Sequence, residues 1–155
     1  MSMQTIKIHP NATVVGDVVL EKNVNIWYGA VLRGDCGRIT VGQGTNIQDN
    51  AVVHDETTIG KNCTLGHGAI VHGCTIGDDC LIGMGAIVLD GAVLEDGCLV
   101  GAGALVTGKT HAPAGSVLLG SPARAVKAVS PQQLSETRKN AEHYIRLAQK
   151  AFGTK

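Results

Sequence analysis

Three histidines within one stretch are the residues best suited to chemistry in this sequence. His54, His67 and His72 lie between Asn46 and Cys74, inside a pattern that repeats every six residues. His54 and His72 are 18 residues apart, which is three repeat units. A fold that makes one turn in three units stacks these two side chains one above the other. We therefore predict that His54 and His72 hold a metal ion together.

The repeat that would position these histidines runs through most of the chain. Aliphatic residues start the units, with one nine-residue unit after Leu32 and one five-residue unit after Val71. The fourth position after each start is small, and the third is usually Gly, Asn or Asp, the types that tolerate a tight corner. The unit starts are Ile8, Val14, Leu20, Ile26, Leu32, Val41, Ile47, Val53, Ile59, Leu65, Val71, Ile76, Ile82, Val88, Leu94, Val100 and Val106. The predicted corner residues are Asn11, Asp17, Asn23, Gly29, Gly44, Asn50, Asn62, Gly68 and Gly85.

This pattern predicts an all-β solenoid with three sides, in which each turn lies about 4.8 Å above the last. The small inward positions hold several of the five cysteines, at Cys36, Cys63, Cys80 and Cys98. On one face, Cys63, Cys80 and Cys98 are predicted to act as small hydrophobic core residues. No C-x-x-C spacing indicates a zinc ribbon, so the cysteines are predicted to be reduced thiols.

The C-terminal part departs from the repeat. After Val106 the pattern breaks, and the Pro and Gly residues that follow are expected to end the coil. Ser130, Pro131 and Gln133 resemble a capped helix start. The helix has an apolar stripe at Leu134, Ala141, Ile145, Ala148 and Phe152. We predict a β-helix domain over 1–120, then a connector and a helix over 121–155 that packs on the same domain.

Composition excludes several classes of function. Thirteen basic residues balance thirteen acidic ones, so no charge excess favours nucleic acid or an anionic membrane surface. No apolar run approaches the ~18 residues that span a bilayer, and the N-terminus lacks a secretory pattern. A cytoplasmic protein with no nucleic-acid or membrane partner is expected.

The third histidine needs a different neighbour. His67 follows the start of the preceding unit by two residues, Asp49 holds the equivalent place one turn earlier, and Gln48 lies beside it. Within one chain His67 and His72 diverge across a corner, so they can meet one ion only through a second copy. Such a contact between different faces is heterologous, and a triangular prism suits a closed ring of three.

Three neutral histidines with an open position are typical of catalytic zinc, because structural sites are closed and often rich in Cys. A zinc ion lowers the pKa of its bound water to ~7. The predicted reaction is attack of metal-bound hydroxide on a small electrophile.

At these motifs the chain resembles the γ-class carbonic anhydrases, in a short bacterial form. The resemblance rests on Arg33-Gly34-Asp35, on Asn46-Ile47-Gln48-Asp49 and on the three histidines. It implies a homotrimer of left-handed parallel β-helices. It also implies Zn²⁺ at each interface, with Fe²⁺ or Co²⁺ as alternatives, and CO2 converted to bicarbonate. His54 and His72 would come from one subunit and His67 from the next.

The resemblance also implies roles for the neighbouring residues. Arg33 and Asp35 resemble the pair that ties the subunits together, as a charge-assisted contact can. Gln48 resembles the residue that orients water or bicarbonate, and Asn46 would help to hold it. Asp49 is either a corner-stabilising carboxylate or a catalytic or interface residue.

The chain departs from that family where protons would be carried. Thr57 and Cys36 stand where prototypical members have glutamates, and the acidic loop before the second histidine is absent. Asp55 and Glu56 are nearby substitutes. The alternatives are an acyl-CoA thioesterase-like hydrolase and a non-catalytic accessory or binding protein. A hexapeptide acyltransferase is less favoured, because that class uses one histidine and no metal.

Overall fold

The computed structural model describes residues 5–152, which form a long series of short strands and a helix. The strands in chain order are β1 (Lys7–Ile8), β2 (Thr13–Leu20), β3 (Asn25–Ile26), β4 (Val31–Val41), β5 (Asn46–Ile47), β6 (Val52–His54), β7 (Thr57–Ile59), β8 (Thr64–Leu65), β9 (Ile70–His72), β10 (Thr75–Ile76), β11 (Leu81–Ile82), β12 (Ile87–Val88), β13 (Val93–Leu94), β14 (Leu99–Val100), β15 (Leu105–Val106), β16 (His111–Ala112), β17 (Ser116–Gly120) and β18 (Ala123–Ala128). The helix is α1 (Pro131–Ala151).

The strands stack into three faces of a prism. Face 1 consists of β1, β3, β5, β8, β11, β14, β17 and β18. Face 2 consists of the first halves of β2 and β4 followed by β6, β9, β12 and β15, and face 3 of their second halves followed by β7, β10, β13 and β16. All neighbours pair in parallel except β17 and β18, which are antiparallel. The predicted fold class, a left-handed parallel β-helix of hexapeptide repeats with a C-terminal helix, is confirmed.

The strand register explains both irregular repeat units. Leu32 pairs with Val53 while Val41 pairs with Ile59, so nine residues in one turn oppose six in the next. The extra residues lie within β4 as it passes from face 2 to face 3. The five-residue unit removes one residue at the corner between β9 and β10. Both irregularities lie at the corner that follows face 2, beside His54 and His72.

The core is a column of aliphatic and small side chains, as the repeat predicts. The unit starts from Ile26 to Val106 are essentially inaccessible to solvent, and so are Cys63, Cys80 and Cys98. The inward prediction for Cys36 is wrong, because the long unit leaves Cys36 exposed and Ile39 takes the buried position. Ile8 is 41% exposed because β1 is the end strand of face 1 and, among residues 5–152, pairs only with β3.

The corners follow the predicted residue types. Positive φ angles occur at seven of the nine predicted positions, for example φ 61 at Asn23 and φ 58 at Asn50. The predictions for Asn11 and Asp17 are wrong. Gly16 takes the left-handed conformation next to Asp17, and it lies so close to the backbone of Gly34 that an added Cβ would clash.

The coil continues past the point where the repeat breaks. The expectation that it ends after Val106 is wrong, because β16 and β17 form a further turn on β13 and β14. Ala112 and Leu118 still fill the inward positions there. β18 then turns back antiparallel on β17, beyond the predicted boundary at residue 120. The division into 1–120 and 121–155 stays a prediction.

The helix begins as predicted and packs on face 1. The Ser130 hydroxyl accepts from the Gln133 N–H, and the Gln133 side chain accepts from the Ser130 N–H. α1 lies against β3, β5 and β8, with Ala141 and Ala148 fully buried. Trp27 and Phe152 pack there with ring centroids 4.8 Å apart. Among residues 5–152, no helix is both long and apolar enough to cross a membrane.

Candidate metal centre

His54 and His72 lie side by side at the end of face 2, as their spacing predicts. They are directly opposed residues of β6 and β9. Their rings come together with Nδ1 of His54 3.0 Å from Nε2 of His72. Both rings are partly shielded from solvent, with side-chain exposures of 16% and 34%. The repeat thus places one nitrogen atom of each ring next to the other.

Two carboxylates decide which nitrogen of each ring carries the proton. Nε2 of His54 donates to Asp35 at 2.9 Å, and Nδ1 of His72 donates to Asp90 at 2.5 Å. A neutral imidazole has one N–H and one lone pair. When both rings are neutral and donate to these carboxylates, the two nitrogens that face each other are both lone-pair atoms. Their mutual repulsion is relieved by a cation between them, so this pair is suited to hold a metal ion.

The distances are close to those that a metal requires. Zinc binds imidazole nitrogen at ~2.0–2.1 Å in a tetrahedral arrangement, which places two nitrogens roughly 3.4 Å apart. The observed separation of 3.0 Å needs only a slight opening of the rings. The donor set within one chain fits two of the ligands of a zinc-type site.

His67 lies at the opposite edge of face 2. It sits in the corner after β8, and β9 then runs from that corner to His72. Among residues 5–152, the groups of potential ligand atoms within 4.8 Å of one another that contain His54 or His72 do not include His67. His67 is the most exposed of the three, with 48% of its side chain accessible. The structure brings together two of the three predicted ligands.

Asp49 contacts His67, one turn away on the same corner. Its carboxylate oxygen Oδ2 lies 2.8 Å from Nδ1 of His67, as an ion-pair contact. A carboxylate bonded to one nitrogen of a metal-binding histidine fixes the tautomer and orients the other nitrogen. This contact supports a site role for Asp49 over a purely corner-stabilising one.

Asp90 is a site residue that the repeat pattern did not identify. Face 2 pairs Val71 with Val88, so the five-residue unit shifts the next turn by one residue. Asp90 consequently lies above Gly73, where a Cβ would come within 2.9 Å of its carboxylate. Asp90 follows His72 by 18 residues, as His72 follows His54, and this spacing is the signal from which Asp90 could have been found. Asp55 completes a group in which one ligand atom each of Asp55, His72 and Asp90 lies within 4.8 Å of the others.

Arg33 and Asp35 pair with each other at the same edge. Nη1 of Arg33 is 2.5 Å from Oδ2 of Asp35. The hydrogen bond from His54 is the largest cause that lowers the pKa of Asp35 to about 2, and Arg33 adds to it. The charge of Asp35 in turn raises the pKa of the nearby Cys36 thiol. The role of Arg33 and Asp35 between subunits stays a prediction.

Asn46 and Gln48 form a polar chain whose direction is determined by the backbone. Nδ2 of Asn46 donates to the Cys63 carbonyl oxygen at 3.1 Å, and that oxygen can only accept. Oδ1 of Asn46 therefore accepts from Nε2 of Gln48, at 3.1 Å. No buried side-chain nitrogen or oxygen among the described residues lacks a partner. Oε1 of Gln48, for which no bond exists, thus faces the open groove beside it.

That groove joins the His67 corner to the helix. It has a volume of about 420 Å³ and is lined by Gln48, His67 and Tyr144 at one end and by Leu81 and Leu99 along face 1. Burial raises the pKa of Tyr144, and the charge of Asp49 adds to the effect. The Tyr144 hydroxyl is therefore protonated at neutral pH. Sequence reasoning placed α1 over the solenoid but did not identify Tyr144 as a neighbour of the site.

The chain matches known proteins along most of its length. Residues 38–73 and 73–108 match the family model "Bacterial transferase hexapeptide (six repeats)". The sequence is 45% identical to γ carbonic anhydrase 2, mitochondrial, of Arabidopsis thaliana, over 92% of this chain and 55% of that protein. It thus spans about half the length of that relative. It is 42% identical to the carnitine operon protein CaiE of Escherichia coli K12, over 88% of this chain and 72% of that protein.

A solved structure gives the same result. The hexapeptide transferase family protein from Anaplasma phagocytophilum superposes with a TM-score of 0.83 and 41% identity, over 93% of this chain and 91% of that chain. The match extends over the faces that carry His54, His67 and His72. The chain belongs to the hexapeptide-repeat family, and over most of its length it is similar to γ carbonic anhydrases and to CaiE.

Proposed function

We propose that this chain is the subunit of a homotrimeric, metal-dependent carbonic anhydrase-like lyase that hydrates CO2 to bicarbonate. One observation carries the proposal: Asp35 and Asp90 hold His54 and His72 so that two imidazole lone pairs converge at 3.0 Å. Two histidines placed only by the repeat would not need matching carboxylates on their outer nitrogens. The 45% identity to a γ carbonic anhydrase supports the same activity.

The third ligand is proposed to come from a neighbouring copy. His54 and His72 lie at one edge of face 2, and His67 lies at the other. If three prisms turn face 2 toward a common three-fold axis, the His67 edge of each meets the His54 edge of the next. Such a ring closes with one kind of contact and forms three equal sites.

The outer surface of face 2 supports this assembly. Its outward column is aliphatic in every turn from β4 to β15, namely Val31, Val52, Ile70, Ile87 and Leu105. The corresponding column of face 3 is mostly polar, namely Thr40, Thr58, Thr75, Val93 and His111. Ile70 is 38% exposed in the single chain. Burial of such a column against two copies stabilises a trimer.

The site residues have distinct proposed roles. His54, His67 and His72 would hold Zn²⁺, with Fe²⁺ or Co²⁺ as alternatives; when bound, the metal supplies a Lewis acid that makes hydroxide available from water at neutral pH. Gln48 offers its Oε1 as a hydrogen-bond acceptor for the O–H of water or bicarbonate. Asn46 orients Gln48, and Asp49 orients His67.

Proton transfer to solvent is proposed to be slow. Thr57 stands where the family has a glutamate, and it is fully buried. Its hydroxyl donates to the His54 carbonyl oxygen and accepts from the Gly73 N–H, both at 3.0 Å. Thr57 therefore links two turns of the solenoid and does not titrate. CO2 hydration releases a proton, so turnover should increase with buffer concentration.

Stopped-flow CO2 hydration on metal-loaded protein tests the proposal. Wild type should be active, while His54→Ala and His67→Ala should each be inactive. His111→Ala is the matched control, because His111 contacts Glu95 on face 3, away from the site. A wild-type protein that binds metal but does not hydrate CO2 would refute the activity.

Mixed assemblies test the shared site. When the two inactive variants are refolded together in equal amounts, about one quarter of the interfaces join an intact His54/His72 edge to an intact His67. Activity should return to about that fraction of wild type. A mixture that remains inactive, despite mixed trimers shown by mass spectrometry, would place all three ligands in one chain or exclude His67.

The groove favours a second candidate, thioester hydrolysis. Its volume of about 420 Å³ is more than ten times the ~30 Å³ that one water occupies in the liquid, far more than CO2 needs. Leu81 and Leu99 offer an apolar surface for an acyl chain. Thioester cleavage that falls in Leu99→Trp while CO2 hydration is unchanged would support this candidate.

A cytoplasmic location stays a prediction, since one relative is named as mitochondrial.

A further inference from the structure

We propose that helix α1 positions the Gln48 side chain in the site, through Asn140 and Thr64. The inference rests on the proposed function, in which Gln48 contacts the substrate. Nothing in the repeat pattern links the helix to the site, because α1 lies outside the solenoid and about ninety residues later in the chain.

The link begins at the Thr64 hydroxyl, one turn above Asn46. Thr64 and Asn46 are directly opposed residues of β8 and β5 on face 1. Nδ2 of Asn46 donates to Oγ1 of Thr64 at 2.8 Å, in addition to its bond with the Cys63 carbonyl. Both side chains point outward from the solenoid, yet both are buried. They are buried because α1 covers this part of face 1.

Asn140 closes the chain from the helix side. Its Nδ2 donates to the same Thr64 oxygen at 3.0 Å. A hydroxyl oxygen has two lone pairs, and here the two amides fill both of them. Asn140 and Asn46 therefore both donate to Thr64, and Gln48 donates to Asn46. Every member of this chain lines or adjoins the groove beside His67.

The consequence concerns what Gln48 offers to the substrate. With its nitrogen held by Asn46, Gln48 presents an acceptor oxygen to the groove. If Asn140 no longer donates to Thr64, the Thr64 oxygen has a free lone pair. The Thr64 hydroxyl and the Asn46 amide can then form other hydrogen bonds. Gln48 then spends less time with Oε1 outward, although no substrate contact has been removed. Asn140 is thus a positioning residue, although it lies 76 residues after Thr64 in the sequence.

A double-mutant cycle separates this role from general stability. Asn140→Ala should lower kcat/KM for CO2 about threefold to tenfold, the size of effect expected for one neutral hydrogen bond. In a Gln48→Ala background the same substitution should have no further effect, because Asn140 acts through Gln48. Lys139→Ala, at the adjacent exposed position of the helix, is the matched control. Equal losses in both backgrounds would overturn the proposal.

A second measurement does not depend on catalysis. The side-chain amide protons of Gln48, assigned by the NMR signal that disappears in Gln48→Glu, should exchange with solvent about threefold to tenfold faster in Asn140→Ala and in Thr64→Val. Lys139→Ala should leave the exchange unchanged. If wild type does not hydrate CO2 but this exchange responds as expected, the proposed function fails and the positioning role stands. Unchanged exchange in both variants would overturn the role.

Discussion

The decisive features at the scale of single residues are the carboxylates behind the histidines. Asp35 and Asp90 each accept from one ring nitrogen of His54 and His72, and the Asp49 carboxylate lies 2.8 Å from Nδ1 of His67. The two hydrogen-bonded carboxylates select the tautomers whose lone pairs face each other. The histidines were predictable from their spacing, and Asp35 and Asp49 from the resemblance. Asp90 was not identified, although it follows His72 by the same 18 residues that separate His72 from His54. The five-residue unit places it opposite Gly73, from where its side chain reaches His72.

Removal of the Asp90 charge should weaken metal binding. In Asp90→Asn the amide can donate to Nδ1 of His72, which would move the ring proton to Nε2 and block the ligand atom. We expect zinc affinity to fall about 10- to 100-fold, as for other partners of metal-binding histidines. Competition with a chromophoric chelator measures this directly. Asp17→Asn, which breaks only the exposed pair with Arg38, should bind zinc as tightly as wild type; equal affinity in Asp90→Asn would exclude the orienting role.

The cysteines should differ sharply in reactivity. Burial raises the pKa of Cys74 to about 12, and Cys63, Cys80 and Cys98 are also buried in the core. A thiolate is the reactive form, so these four should resist alkylation near pH 8. Cys36 is exposed and should react slowly, because the charge of Asp35 raises its pKa. We expect one modified thiol per native chain by mass spectrometry, and none in Cys36→Ser; a second modified thiol without unfolding would contradict the core assignment.

At the scale of elements, the repeat predicted the stacking but not the ends. Period six with small residues at one inward position is visible in sequence, because every turn has the same two inward contacts. The last turn was missed because Ala112 and Leu118 fill those contacts within a Pro- and Gly-containing stretch. No sequence period predicts β18, because it pairs antiparallel with a single neighbour. The contact of Asn140 with Thr64 likewise depends on how α1 docks, which periodicity does not specify.

The start of α1 is the element feature with the simplest test. Ser130 and Gln133 satisfy each other's backbone N–H groups. Ser130→Ala should lower the free energy of unfolding by about 1 kcal/mol, the usual effect of losing an N-cap. Ser135→Ala, at an exposed position inside the helix, should not destabilise the protein, because alanine favours helix interiors. Urea unfolding of both variants measures the difference, and equal midpoints would show that the cap contributes nothing.

At the scale of the whole molecule, the solenoid places the three predicted metal ligands at the two edges of one face. A single prism presents two nitrogens at one edge of face 2 and a third at the other. In the proposed trimer, the assembly determines whether a third histidine reaches the ion, and the surface between the two edges forms the contact. Metal affinity and oligomeric state should be coupled, since loss of the ring removes a ligand without altering any histidine.

Ile70 tests that coupling, because it lies at the centre of the aliphatic column of face 2. Ile70→Glu places a charge where the copies are proposed to pack, and burying an unpaired carboxylate there is strongly unfavourable. We expect monomers by sedimentation, an unchanged β-sheet circular dichroism spectrum, and zinc affinity reduced as strongly as in His67→Ala. Thr75→Glu is the matched control, since Thr75 begins the strand of face 3 in the same turn and is exposed; it should remain a trimer with full affinity. If Ile70→Glu stayed trimeric, another face would form the interface, and if its monomer bound zinc as tightly as wild type, His67 would not be a ligand.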